Sequence, residues 1–80
     1  MATVAELKVG ERGIIREFLS TELPIKLIEL GCLPGNLVEL LQVAPLKDPL
    51  YVDINGSHLA IRREIARYIE VDICTQAKVS

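Results

Sequence analysis

An Asn-Gly dipeptide set between two alternating runs limits the folds open to this chain more than any other feature. Leu50-Tyr51-Val52-Asp53-Ile54 and Ser57-His58-Leu59-Ala60-Ile61 flank Asn55-Gly56. A two-residue loop of this type signals a type I′ hairpin, because both loop residues must adopt positive φ. That loop length predicts Ile54 opposite Ser57, Val52 opposite Leu59 and Leu50 opposite Ile61. The apolar side chains of Leu50, Val52, Ile54, Leu59 and Ile61 then share one face. Asp53 opposes His58, and Tyr51 opposes Ala60, on the other. A slip of one residue would turn the whole apolar set into water, so register and pattern enforce each other.

The flanking sequence supplies further punctuation. Val4, Leu7 and Val9 form a short apolar pattern before Gly10-Glu11-Arg12-Gly13, whose glycines predict a tight turn. Ile14 to Leu19 reads as a strand. Thr21 to Leu30 reads as a helix capped by Ser20 or Thr21, with Pro24 in its first turn and Leu23, Leu27, Ile28 and Leu30 on its apolar side. Glu22 and Lys26 would pair at i, i+4, and Gly31 would end the helix. Leu33-Pro34-Gly35-Asn36 predicts a type II turn, with Pro at i+1 and Gly at i+2.

Leu37 to Ala44 carries apolar residues on both faces, so this strand should be central or strongly curved. Pro45 and Pro49 bracket a loop, since neither fits a central ladder. Arg62 to Arg67 predicts a helical turn or two. Ile69, Val71 and Ile73 then alternate with Glu70, Asp72 and Cys74, as in a strand with one wet face. The resulting expectation is a mainly β chain: a small SH3-like β-barrel of about five strands, with a helix after the first and a helical turn before the last.

Eighty residues suit one domain over residues 1–80, with its core in about 4–74 and a frayed tail at 75–80. A net charge of −2 gives no general grip on nucleic acid. No apolar stretch approaches a bilayer span and the start lacks a leader pattern, so a cytoplasmic location is expected, with Cys32 and Cys74 as free thiols.

Catalytic constellations are missing: there is no phosphate loop, nucleophile–base–acid order or carboxylate dyad, and a domain this small rarely holds a pocket of about 300 Å³. A non-enzyme without a cofactor is expected. His58, the sole histidine, with Asp53 and Cys32, is open to a divalent metal, but the spacing gives no ligand set. The simpler reading is a surface Asp53–His58 pair and a buried Cys32. Arg62, Arg63 and Arg67 form a basic cluster, which local pairing with Glu64 and Glu70 would absorb. Leu33, Leu37 and the last strand offer an apolar patch to a second copy.

Read whole, the chain resembles the FeoA family, accessory proteins of bacterial ferrous iron transport. The likeness runs from Leu7 to Val71. It rests on ELG-x-LPG at Glu29–Gly35, APL-x-DP at Ala44–Pro49 and LAIRRE at Leu59–Glu64, with LKVGERGII opening the domain. Lys26-Leu27 stands where an Arg-Leu pair is common, and Cys32 replaces an aliphatic residue. The resemblance implies an SH3-like barrel that supports FeoB, a membrane permease with a cytoplasmic GTP-binding domain, reaching the membrane only through that partner. Partner contacts are then expected at Glu22, Lys26 and Glu29 on the first helix, at Lys47 in the proline-bracketed loop, and at Arg62 and Arg63. A transition-metal-responsive module and an RNA-binding barrel are the alternatives.

Overall fold

The Asn55-Gly56 hairpin forms with the register its loop length dictates: Ile54, Val52 and Leu50 oppose Ser57, Leu59 and Ile61. Asn55 (φ 54°) and Gly56 (φ 89°) both take the left-handed conformation a type I′ turn requires. The Gly56 N–H donates to Asp53 Oδ1 at 3.0 Å and ties the loop to its own strand. A computed structural model describes residues 2–74, and this hairpin is one end of its sheet.

The strands are β1 (Ala2–Thr3), β2 (Arg12–Phe18), β3 (Leu37–Val43), β4 (Leu50–Ile54), β5 (Ser57–Ile61) and β6 (Ile69–Ile73), with helices α1 (Ile25–Glu29) and α2 (Arg63–Ala66). All pairings are antiparallel, in the order β1-β6-β2-β3-β4-β5. There are thus six strands where about five were expected. The addition is β1, two residues that pair with Val71 and Glu70 before a 3-10 turn over Val4–Glu6. A segment so short carries no readable alternation.

Register shifts between Ile15 and Glu17 in β2, and between Leu40 and Gln42 in β3, are the bulges that curl the sheet around its core. β3 is central, as its two-faced pattern required. Val38 and Leu40 are fully buried, whereas Leu37 and Leu41 emerge on the outer side. Ile15, Leu50, Val52, Ile54, Ile61, Ile69 and Val71 complete the aliphatic interior, and Val4, Leu27, Cys32 and Ala66 cover it.

Three local expectations are corrected. Gly13 is no turn glycine; it lies in β2, where an added Cβ would stand 3.1 Å from Val71 Cβ, and only Gly10 of that tetrapeptide has positive φ. The helix begins at Ile25 rather than Thr21, because Pro24 is extended (ψ 132°) and Ser20 Oγ accepts the Glu22 N–H in a local turn. Glu22 therefore lies outside the helix and forms no helical pair with Lys26. Finally, Glu70 is only 4% exposed, although its strand was expected to have a wet face. Thr3 of β1 and Glu17 of β2 flank it on both sides. The predicted tail at 75–80 lies outside the described residues.

Candidate functional site

Gly31 sets the position of α1. With φ +105° it follows the helix as a left-handed residue, and two bonds close the turn: Gly31 N–H to Ile28 C=O at 3.1 Å and Cys32 N–H to Leu27 C=O at 2.9 Å. This is the Schellman pattern, which satisfies the last carbonyls of a helix. Asn36 Nδ2 donates to the Gly31 carbonyl at 2.7 Å, and a Cβ at Gly31 would lie 3.5 Å from Asn55 Cβ. The end of α1 is thereby held beside the hairpin tip.

The body of α1 then runs near β5 and leaves a groove. Its volume is about 380 Å³, with Leu27 and Leu30 on one wall, Leu59 and Ile61 on the other, Ile65 of α2 at the end, and Lys26 and Arg62 among its bordering side chains. A second groove of about 390 Å³ lies on the outer side of the same hairpin, bordered by Leu41, Tyr51, His58 and Ala60. The expectation that so small a domain lacks a space above about 300 Å³ is corrected. Curling the sheet and setting a short helix beside it leaves surface channels that a flat sheet would not.

The basic residues divide into two groups. Lys26 and Arg62 meet at the first groove, both exposed and without an ion pair among the described residues. Arg63 instead turns into the fold. Its Nε donates to the Lys47 carbonyl at 2.9 Å, its Nη1 to the Ala5 carbonyl at 3.0 Å, and its backbone N–H to Asp48 Oδ1 at 2.9 Å. One side chain thus joins α2, the proline-bracketed loop and the N-terminal 3-10 turn. Lys47 (φ 71°) holds the loop conformation that presents its carbonyl. Leu46 beside it is 90% exposed. The pairing expected with Glu64 and Glu70 does not form among the described residues. Glu22 and Glu29 are exposed and do not line the groove.

The metal candidates do not converge. His58 Nε2 stands 4.0 Å from Asp53 Oδ2, as the hairpin register predicted, and its side chain is largely exposed. Cys32 is fully buried, and that burial pushes its thiol up to about 11. No group of three or more His, Cys, Asp or Glu residues able to hold a metal forms among the described residues.

Sequence reasoning missed the Arg63 brace and the Arg16 Nη1–Asp72 Oδ2 pair at 2.9 Å. Asp72 also holds the Arg16 guanidinium protonated more firmly, first by hydrogen bonding and then by charge. The brace had one legible signal. Arg62, at the N-cap of α2, makes no side-chain capping bond, so the first amides need an acceptor from elsewhere, and Asp48 supplies it.

The family model described as "FeoA domain" matches residues 2–73. Among curated proteins, the chain is 31% identical over 74 residues to the Fe(2+) transport protein A/Fe(2+) transporter FeoB fusion protein of Porphyromonas gingivalis. The match covers 92% of this chain and 8% of that protein, so the chain spans a small fraction of the relative's length. Among solved structures, it is similar to the FeoA protein from Chlorobium tepidum (TM-score 0.86, 32% identity, 96% of this chain and 74% of that one). It is also similar to iron(II) transport protein A from Clostridium thermocellum (TM-score 0.82, 34% identity, 90% and 45%). Stenotrophomonas maltophilia FeoA complexed with zinc, described as an SH3 domain protein, shares the fold at 23% identity (TM-score 0.75, 90% and 91%).

Proposed function

Because this chain belongs to the FeoA family, we propose that it is a small cytoplasmic accessory protein of ferrous iron transport. In this reading it docks on the cytoplasmic GTPase part of a FeoB-type permease and assembles or regulates it. The observation that carries the reading is the relative in which an iron transport protein A portion and a FeoB transporter are one polypeptide. Fusion gives two modules a high effective concentration, whereas separate chains must find each other through complementary surfaces. The apolar groove beneath Lys26 and Arg62 supports this as a surface suited to a polypeptide. No helix among the described residues is long and apolar enough to cross a membrane, and in this reading membrane contact belongs to the permease.

The test is calorimetry with the soluble GTPase domain of the cognate permease, in its GDP and GTP-analogue states, together with iron uptake in a deletion strain. Saturable binding in at least one state and reduced uptake are expected. No heat in either state and unimpaired uptake would refute the reading. Neither alternative has a comparable arrangement behind it. Among the described residues His58 joins no group of three metal-ligating side chains, and the exposed arginines sit on a chain of net charge −2.

A further inference from the structure

The sheet ends at β5, whose outer edge has no partner strand among the described residues. The hairpin register shows which main-chain groups lie on that edge. In a two-residue-loop hairpin the residues flanking the loop exchange both N–H···O=C bonds, and such pairs then alternate with unbonded ones. Ile54–Ser57, Val52–Leu59 and Leu50–Ile61 are therefore the bonded pairs. His58 and Ala60, which lie between them, direct their N–H and C=O groups away from β4. No loop, cap or turn backbone group among the described residues bonds to either. An open row of this kind is a template for a further strand.

Side-chain space is available on both sides of the row. Leu59 and Ala60 border both grooves: the channel with Leu27, Leu30 and Ile65, and the outer one with Leu41, Tyr51 and His58. Successive side chains of an added strand point in opposite directions. Alternate residues would enter alternate grooves, as β-strand addition requires. Charge then selects the occupant. On a chain of net charge −2, the border of the first groove carries Lys26 and Arg62, neither with a carboxylate partner among the described residues.

From this geometry we infer that the β5 edge, with Lys26 and Arg62, binds an extended segment of a partner protein by strand addition, the segment being apolar along the strand and acidic at the end that reaches Arg62 and Lys26. The inference rests on the proposed function only in taking the permease as the natural source of that segment.

The experiment titrates the nitrogen-15-labelled full chain with blocked dodecapeptides tiling the soluble part of the cognate permease, and in parallel with the intact soluble domain. One apolar peptide with an acidic end should bind in the range of about 10–100 µM, shifting the His58 and Ala60 amides and slowing their hydrogen exchange. N-methylation of the peptide amides that face β5 should weaken binding by about tenfold, the scale of one good hydrogen bond. The Lys26→Glu, Arg62→Glu double variant should lose a similar factor, and the loss should shrink at high salt. Ala60→Pro removes one edge N–H where proline is tolerated and should act like N-methylation. If that variant fails to fold, the N-methyl peptide makes the same test on the unaltered protein.

Binding of the intact domain with shifts confined to other faces would overturn strand addition and leave the proposed function standing. Failure of both peptides and domain to bind would overturn both. Equal binding of a poly-dT oligonucleotide at the same amides would identify a phosphate-binding patch instead, and would also overturn the inference.

Discussion

Arg62 and Arg63 are chemically identical neighbours with opposite fates, and replacing each by alanine should separate them. Arg63→Ala removes the bonds to Lys47 C=O at 2.9 Å and Ala5 C=O at 3.0 Å, while the backbone bond to Asp48 stays. Hydrogen bonds from charged donors contribute about 1.5–3 kcal/mol each, and neutral ones about 0.5–1.5. The exposed bond is discounted to the bottom of the neutral range, about 0.5 kcal/mol, and the partly buried one takes the bottom of the charged range, about 1.5, so the pair together should be worth about 2 kcal/mol. A domain of 80 residues is stable by only about 4–12 kcal/mol, so this is a sizeable share. With a urea slope of about 1 kcal/mol/M, the unfolding midpoint should fall by about 2 M. Arg63→Lys keeps the charge but presents a single donor point, so about half of the loss should remain. Arg62→Ala, at an exposed position with no ion pair among the described residues, should stay within about 0.5 kcal/mol of wild type. Equal midpoint shifts for the two alanine variants, or a lysine variant indistinguishable from wild type, would refute the brace.

The remaining predictions use the same chain. Asp48→Ala should destabilise by about 1 kcal/mol in urea through loss of the cap on α2, and Asp48→Asn should keep most of that stability. Gly13→Ala should cost about 1–3 kcal/mol although its φ is not positive, because the new methyl meets Val71 Cβ at 3.1 Å and the Asp72 carbonyl at 3.2 Å; an unchanged midpoint would contradict this. Iodoacetamide at about pH 8 should modify half-buried Cys74 and spare Cys32 until the protein unfolds, as mass spectrometry of the peptides would show. Burial raises the Cys32 pKa from 9.0 to about 11, so the folded state binds its proton more tightly. Stability should then fall as pH rises from 9.0 through about 11, and Cys32→Ala should flatten that decline.

Features governed by neighbours in the chain were legible. Asn55-Gly56 set a hairpin register that the structure reproduces at every pair. Gly31 and Pro34-Gly35 marked a helix end and a turn whose Asn36 N–H to Leu33 C=O bond is present at 3.1 Å. Tertiary context decided the rest. Pro24 suits either a first helical turn or the residue before it, and the chain adopts the second. Gly13 reads as a turn residue until β6 is known to pass against it, and Glu70 reads as solvated until β1 covers its far side. Lys26 and Arg62 were each legible as candidate contacts. The groove between them was not, because it exists only where α1 comes to lie beside β5. Arg63 shows the same limit: its backbone carbonyl partners, at Lys47 and Ala5, carry no sequence signature.

The brevity of β1 bears on how many copies can join. Its two residues cover the side of β6 at Val71 and Glu70, and the chain then coils away into the turn at Val4. A filament built by edge-to-edge stacking needs two usable rims on every unit, one to accept and one to offer. Among the described residues only the β5 rim is long enough to serve. Whatever strand seats there leaves no comparable rim among the described residues from which a stack could extend.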